Sequence, residues 1–201
     1  MLSPQVPFLM PLCYLPDVRF FRALKSPWFK GFTIDLPFVP KSLQQRCYLM
    51  GNHQVIRLSV SVKHQRGTTL RSALLDHTQS WKKDHLGAIK ACYGKAPFFE
   101  ALFPLLEEAI IKPHETLFSL QEATLQPALQ VLGLWRPELY VYPSHKEQEW
   151  QIWQPEDILR MQQKTLHTDK IADFNTGNDF ASTLSVYHLL FYKGRDSFNF
   201  I

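Results

Sequence analysis

The sequence has 201 residues, of which 45% are hydrophobic and 20% are charged, so it is long and apolar enough to bury one sizeable core. Its 22 lysines and arginines exceed its 18 aspartates and glutamates by a net charge of only +4, and these basic residues are scattered along the chain. A nucleic-acid partner, which requires a clustered basic surface, is therefore not expected.

The N-terminal and cysteine patterns predict a cytoplasmic protein without a membrane span. The first residues, MLSPQVPFLMPLCYLP, contain four prolines and no basic residue before the apolar run, unlike a secretory signal. No apolar run approaches the roughly 18 residues that a membrane-spanning helix needs. Cys13, Cys47 and Cys92 are odd in number and far apart, which favours free thiols in a reducing compartment over a disulfide framework or a zinc site.

The apolar patterning of the N-terminal third predicts strands and one short helix. A buried strand is expected at 7–13, followed by a helix at 18–24 that Pro27 ends. Beyond it, alternating and apolar runs predict strands at 32–39, 46–50 and 55–62, with a further short run at 70–76 able to join the sheet. Gly51 and Asn52 supply a turn between the second and third of these strands, which makes that pair the best hairpin candidate.

The middle of the chain has a helical pattern. Ser80 is placed to cap the N-terminus of a helix, and predicted helices then occupy 81–93, 98–111 and 119–132. Pro104 either kinks the second helix or marks its first turn. Ser119 and Glu122 have the capping-box spacing and are expected to open the third helix.

The C-terminal part predicts one more strand and a terminal helix. The strand is expected at 138–144, an exposed polar excursion with a short helix at 145–170, and the terminal helix at 182–194. Ser182 or Thr183 is positioned to cap this helix, and Gly194 to end it.

These elements predict an α+β fold in which a small, mostly antiparallel sheet from the N-terminal third packs against three to four helices. No internal repeat, linker or low-complexity tract divides the sequence. One domain over 1–201 is therefore expected.

The helix predicted at 81–93 raises the question of a histidine on an apolar face. At about 100° per residue, Trp81, His85, Ala88, Ile89 and Cys92 share one arc, whereas the lysines point to solvent. The sequence therefore predicts that His85 faces inward and is at least partly buried.

The common catalytic signatures do not occur in the sequence. With eight glycines in the chain, neither a Rossmann nor a Walker pattern can be placed. The spacings of zinc sites, redox dithiols and serine hydrolases are missing as well, so no metal ligand is named and any cofactor is unknown.

A small set of residues carries the remaining candidate chemistry, each with a structural alternative. His85 is either a general acid or base at a cleft wall, or a core histidine bonded to a backbone carbonyl. Lys41 and Arg46 either present positive charge to an anionic ligand or mark a solvated strand end. Tyr14 and Tyr93 are cleft-lining phenols or core aromatics whose hydroxyls reach the surface.

Ordered motifs along the chain resemble the WbqC-like proteins, in the form found in Bacteroidetes. The motifs are FLMPLCYLP, KSLQQRCYL, IRLSVSV, WKKDHLGAIKACYGKAPFFE, LFSLQEATLQPALQVLGL and LSVYHLLFYKG, which together span nearly the whole chain. The positions that correspond to family motifs are Tyr14, Pro16, Lys41, Arg46, Trp81, His85, Tyr93, Pro97 and Phe98.

The resemblance implies a transferase or accessory enzyme in surface-polysaccharide (O-antigen type) or amino-sugar modification, with acyl or aminoacyl transfer to an activated sugar as one reaction. His85 would then be the catalytic group, and Tyr14, Lys41, Arg46, Trp81 and Tyr93 would bind a nucleotide-sugar or another anionic small molecule. The alternative is a non-catalytic protein that binds a glycan precursor or serves as a scaffold. Met10, Gln44, Gln45 and His188 replace residues of the family pattern, which puts the activity of this member in question.

Overall fold

The fold is mixed α+β, as predicted, and its one parallel sheet organises the N-terminal third. The computed structural model describes residues 6–52, 54–63, 65–136, 150–153 and 183–201. In this sheet β1 (Phe8–Pro11) lies between β2 (Phe29–Thr33) and β7 (Gln151–Ile152), and both neighbours run parallel to it. All four residues of β1 are buried, which matches the continuous apolar run expected of a strand covered on both faces.

The helix α1 (Val18–Leu24) connects β1 to β2, as parallel strands require a crossover. Asp17 begins this helix, because its carboxylate accepts from the backbone amides of Arg19 at 3.0 Å and Phe20 at 3.1 Å. The predicted strand at 32–39 is wrong in its bounds. Its first residues end β2, while the segment 34–38 runs beside 68–71 through isolated backbone hydrogen bonds.

The other two sheets of the described residues are antiparallel pairs, so the sheets are mostly antiparallel as predicted. The hairpin of β3 (Arg46–Met50) and β4 (Val55–Ser59) is confirmed. The run expected at 55–62 is divided, because its end belongs to β5 (Val62–Lys63), which pairs with β6 (Leu74–Leu75). Of the strand expected at 70–76, only Leu74–Leu75 forms a strand, namely β6.

The helices form where the sequence predicts them, but their caps differ. They are α2 (Trp81–Tyr93), α3 (Phe99–Ile111), α4 (Leu117–Val131) and α5 (Val186–Lys193), and a 3₁₀ segment (Gly194–Phe200) follows α5. Ser80 does not cap α2, because its hydroxyl donates to Asp84 at 2.9 Å instead. Thr116 rather than Ser119 caps α4, and Ser185 rather than Ser182 or Thr183 caps α5.

Pro104 lies inside α3 and therefore does not mark its first turn. Gly194 ends α5 as predicted, with a φ of +55° that favours glycine. A methyl group at this position would lie 2.9 Å from the ring of Phe98, so the close approach of α5 to the start of α3 also requires glycine.

The buried face of α2 is rotated from the predicted arc. Leu86 and Tyr93 are buried, whereas Ala88 and Cys92 are only half-buried. The arc is centred near Ile89 because this helix packs against both α3 and the hairpin strand β3, so more than one side of it is covered. His85 remains inside the buried arc.

The core is a cluster of buried side chains that joins the parallel sheet, α1, the hairpin and the helices. Its largest fully buried members are aromatic, namely Tyr14, Tyr93, Phe8, Phe21, Phe32 and Phe191. None of the helices in the described ranges has the length and apolar character needed to cross a membrane. The strand expected at 138–144, and nearly all of the excursion expected at 145–170, lie outside the described residues.

Candidate functional site

A cavity lies beside the turn that leaves the carboxyl end of the central strand β1. Ligands of parallel sheets commonly bind outside this end of the strands. Cys13 to Asp17 form the turn between β1 and α1, and two further segments close over it. Ser185 donates its amide to the carbonyl of Tyr48 at 2.9 Å, and Val186 donates to that of Pro16 at 2.9 Å. The first turn, the start of β3 and the start of α5 therefore converge around one space.

The cavity is narrow and mostly apolar. The volume accessible to water inside it is about 20 Å³. The lining side chains are Cys13, Leu15, Pro16, Asp17, Phe20, Leu43, Arg46, Cys47, Tyr48, Thr183 and Ser185. One water molecule needs roughly 10–15 Å³ of such volume. A larger ligand must therefore widen the cavity or insert only one of its chemical groups.

Arg46 brings an unused hydrogen-bond donor to this cavity. It is the first residue of β3, and its Nη1 donates to the carbonyl of Lys41 at 2.8 Å. Its Nε is buried and has no hydrogen-bond partner in the part of the chain that the structure describes. A buried donor without a partner costs about 1–3 kcal/mol, so this guanidinium is suited to a negatively charged acceptor that would satisfy it.

Two residues, one in the cavity wall and one bonded to Arg46, have strained backbones. Leu15 has a φ of +43° and Lys41 a φ of +65°, and no other non-glycine residue in the described ranges has a positive φ. Leu15 lines the cavity, and the carbonyl of Lys41 holds Arg46. Such strain costs roughly 1–3 kcal/mol per residue and tends to cluster at functional sites.

The acidic residue of the cavity is already neutralised. Asp17 forms a buried ion pair with Arg19, which donates from both Nε and Nη2, in addition to capping α1. The Asp17 carboxylate is thus held by the positive charge of Arg19 and by the two backbone amides that it caps. Asp17, the one carboxylate among the described lining residues, is therefore not available to pair with Arg46.

Two cysteines face the same space. Cys13 and Cys47 are both buried, and neither is in a disulfide. Burial raises the pKa of the Cys47 thiol far above its ordinary value, so this group stays protonated at neutral pH. A thiol in that state is a poor nucleophile, and Cys47 acts as a small apolar wall residue.

His85 lies in the core and does not line the cavity. Its side chain is only 3% exposed, and Nδ1 lies 2.9 Å from the hydroxyl of Tyr14. Burial lowers the pKa of His85 to about 4, although a hydrogen bond with the backbone of Ser59 acts in the opposite direction. A neutral ring that donates to the Ser59 carbonyl and accepts from Tyr14 satisfies both nitrogens. The acid–base role of His85 stays a prediction, and it would require the ring to be uncovered.

The aromatic residues predicted to bind substrate are buried in the core instead, and two of them, Tyr14 and Trp81, contact His85. Tyr14 is fully buried, and burial raises the pKa of its hydroxyl. Trp81 is 5.4 Å from the His85 ring between centroids, and its indole donates to the carbonyl of Asp76 at 3.2 Å. The hydroxyl of Tyr93 accepts from the amide of Met50 at 2.9 Å, which ties α2 to the end of β3.

Of the predicted site residues, the structure therefore places only Arg46 in the cavity wall. Lys41 is exposed and contributes its backbone carbonyl, while its ammonium group points into solvent. Sequence reasoning missed Asp17 and Ser185 as cavity residues. The signal for Asp17 was a helix-capping aspartate directly after Pro16, at the end of an apolar run.

The glutamines that replace residues of the family pattern shape the turn before β3. Gln44 accepts from the amide of Val39 at 2.9 Å. Gln45 accepts from the amide of Lys41 at 3.2 Å and donates to the carbonyl of Val60 at 3.1 Å. Both side chains therefore stabilise the backbone conformation in which the carbonyl of Lys41 accepts from Arg46.

The other two replaced positions are buried away from the cavity. Met10 is a fully buried residue of β1. The ring of His188 lies 5.6 Å from that of Tyr93 in an edge-to-face arrangement, and burial lowers the pKa of His188 to about 4. Within the described residues, no group of His, Cys, Asp or Glu side chains is arranged to hold a metal ion.

A family model described as the WbqC-like protein family matches residues 13–182, which confirms the resemblance seen in the sequence. The matched range contains every cavity residue except Thr183 and Ser185. No curated protein and no solved structure matches the chain significantly.

Proposed function

Since the chain belongs to the WbqC-like protein family, we propose that it binds an anionic, activated sugar at the Arg46 cavity and acts in surface-polysaccharide or amino-sugar modification. The family supports the polysaccharide part of this proposal. The observation that supports an anionic ligand is the buried, unpartnered Nε of Arg46, beside an aspartate that is already paired with Arg19.

A nucleotide-sugar fits this site through one phosphate. The guanidinium fork of Arg46 has the geometry to hold a phosphate oxygen pair, with Nε as one of its donors. The cavity as it stands is too small for the sugar and the nucleoside. Binding would therefore place the phosphate at Arg46 and the rest of the ligand towards solvent, past the exposed Lys41.

The reaction that we propose is acyl or aminoacyl transfer from an activated ester or thioester to an amine of the bound sugar. The amine nitrogen forms a bond to the acyl carbon, the bond to the leaving group breaks, and a base removes the amine proton. Because Arg46 holds the phosphate, the Tyr14 hydroxyl would donate to the developing oxyanion. His85 is the predicted base, and this role requires the Tyr14 hydroxyl to move off its Nδ1.

A non-catalytic binding or scaffold role is the second candidate. It is favoured by the enclosure of His85 and by the pairing of Asp17, because the described part of the cavity wall then contains no free base. The two candidates share the ligand site and differ in turnover. Mass spectrometry of an amino-sugar nucleotide incubated with the protein and an acyl thioester separates them, since only an enzyme yields acylated sugar.

The ligand site is tested by thermal shift and calorimetry with a panel of UDP-, GDP- and dTDP-sugars. We expect at least one to raise the melting temperature, and Arg46→Ala to weaken its binding by tenfold or more, the equivalent of about 1.4 kcal/mol. Arg57→Ala is the matched control, because Arg57 is an exposed arginine of the neighbouring strand β4. Full affinity in Arg46→Ala would remove Arg46 from the site.

A further inference from the structure

An open groove lies on the far side of the segment that leads into β3. It measures about 620 Å³, within the range of small-molecule sites, and a second groove of about 380 Å³ lies next to it. Gln65, Arg66, Gly67 and Thr68 border both grooves, so they form a ridge between them. We call these four residues the 65–68 turn.

The 65–68 turn is rigidly built. The amide of Thr68 donates to the carbonyl of Gln65 at 3.0 Å, and the Thr68 hydroxyl both donates to that carbonyl at 2.8 Å and accepts from the Gln65 amide at 2.9 Å. Gly67 has a φ of +87°, which a side chain would disfavour. Arg66 is therefore presented from a fixed backbone.

The floor of the larger groove is also fixed by backbone hydrogen bonds. Phe38 donates its amide to the carbonyl of Thr68 at 2.9 Å, and Leu70 donates to that of Leu36 at 2.8 Å. Pro37 faces Thr69 in an isolated antiparallel bridge. The groove is thus lined by a short two-stranded ladder and does not depend on a loose loop.

The charges of the two grooves leave Arg66 without a partner. Asp35 pairs with Arg71 at 3.1 Å, and the pKa of Asp76 is lowered chiefly by its hydrogen bonds from Thr78 and to a lesser extent by the charge of Lys63. The exposed guanidinium of Arg66 makes no hydrogen bond or ion pair with the described residues. The surface around the 65–68 turn therefore offers a positive charge next to hydroxyl and amide groups.

From this arrangement we infer that the grooves bind a saccharide that carries a carboxylate, with the carboxylate on Arg66 and the sugar rings on either side of the 65–68 turn. This inference rests on the proposed function, because it adds a second saccharide site to a sugar-modifying protein.

The lining favours a saccharide over an apolar ligand. Thr68, Thr69 and Ser72 contribute hydroxyl groups that already hydrogen-bond to neighbouring residues, and Gln65 contributes an amide. Pro37 and Pro40 provide flat apolar surface on which the C–H face of a sugar ring can pack. Hydroxyl and amide groups beside flat apolar surface match the amphipathic character of a sugar, and the free cation adds a preference for an acidic one.

The groove and the Arg46 cavity are neighbours along the chain. Pro40 lines the groove, Leu43 lines the Arg46 cavity, and the exposed Lys41 lies between them in the chain. One short chain segment would therefore connect the saccharide site to the nucleotide-sugar site.

Trigalacturonate, an acidic trisaccharide, tests the inference, with neutral maltotriose as the matched ligand. In ¹H–¹⁵N spectra of the full chain we expect trigalacturonate to shift the amide signals of the 65–68 turn and of Thr69. Arg66→Ala should weaken its binding about tenfold, as the loss of a charge-assisted contact predicts. Arg57→Ala should bind as the wild type does, and maltotriose should bind at least tenfold more weakly.

The saccharide site would be overturned by wild-type affinity in Arg66→Ala, or by equal binding of maltotriose. It would also be overturned by amide shifts that lie elsewhere, or by no binding at millimolar trigalacturonate. The proposed function is assessed separately, because nucleotide-sugar binding should depend on Arg46 and be unchanged in Arg66→Ala. Loss of the Arg46 effect with an intact Arg66 effect would overturn the proposed function and leave a glycan-binding groove.

Discussion

His85 with its neighbours Tyr14 and Trp81, here called the His85 cluster, differs from the Arg46 cavity in whether its buried polar groups are paired. In the cluster the imidazole is enclosed, and both of its nitrogens have partners in Tyr14 and the backbone of Ser59. In the cavity the Nε of Arg46 is buried and has no partner among the described residues, while Leu15 in the wall and Lys41, which accepts from Arg46, both have positive φ. The cluster is built for stability, whereas the cavity retains an unmet hydrogen bond and backbone strain, which makes it the better candidate for a ligand.

Removal of the ion pair in the cavity wall should have the largest effect on stability. Arg19→Met leaves the carboxylate of Asp17 buried without its cation, and the free energy of unfolding should fall by about 3–5 kcal/mol. Arg71→Met is the control, because its pair with Asp35 is exposed and should contribute at most about 1 kcal/mol. Urea denaturation measures both. Equal losses would show that the Asp17 carboxylate does not depend on Arg19.

Acid should destabilise the protein through His85. Its pKa of about 4 in the folded state lies below the ordinary value of 6.5, so between these pH values the unfolded chain binds a proton that the folded chain does not. The stability present above pH 6.5 is therefore lost as the pH falls towards 4, by about 3 kcal/mol for this ring.

The measurement is the pH dependence of urea unfolding from pH 7.5 to 4.5. His85→Gln should give a shallower slope than the wild type, whereas His77→Gln, at an exposed position, should not change it. An unchanged slope in His85→Gln would mean that the ring is already protonated or solvated in the folded protein.

Loss of the Tyr14 hydroxyl should have a smaller effect. Tyr14→Phe leaves Nδ1 of His85 buried without a partner, at a cost of about 1–3 kcal/mol. Tyr48→Phe is the matched control, because the described residues offer its hydroxyl no hydrogen bond. Equal stability of the two variants in urea would contradict the view that Tyr14 seals the cluster.

Arg46→Ala should have the smallest effect on stability. It gives up the bond from Nη1 to Lys41 but also removes the unpaired Nε, so the free energy of unfolding should stay within about 1 kcal/mol of the wild type. Ligand binding should nevertheless be lost, as proposed above. A loss of several kcal/mol by urea denaturation would make Arg46 a structural residue like Arg19.

The sequence predicts those parts of the fold that depend on local signals. The bounds of α2 follow from its helical period up to Gly94, and the β3–β4 hairpin follows from alternation around Gly51. The caps were predicted less well, because several hydroxyl residues precede each helix and tertiary contacts select one. Ser185, for example, is selected by its backbone bond to Tyr48.

The site was predictable only in part, because its members are distant in the sequence. Arg46 was found as a basic residue at a strand start and as a position of the family pattern. The partner of His85 is 71 residues away, and nothing local to the helix shows whether a hydroxyl or solvent meets the ring. The parallel order of β2, β1 and β7 was missed for the same reason, since β7 joins from residue 151.

The segment from Pro37 to Arg46 has a consequence for the two proposed ligands. It forms one wall of the groove and ends in the wall of the cavity, and Gln44 and Gln45 hold it as a single unit. If a phosphate at Arg46 shifts this unit, the affinity for the acidic glycan changes, and by thermodynamic reciprocity the glycan changes the affinity for the phosphate by the same factor. We therefore expect the two ligands to bind cooperatively, with one peptide segment transmitting the coupling.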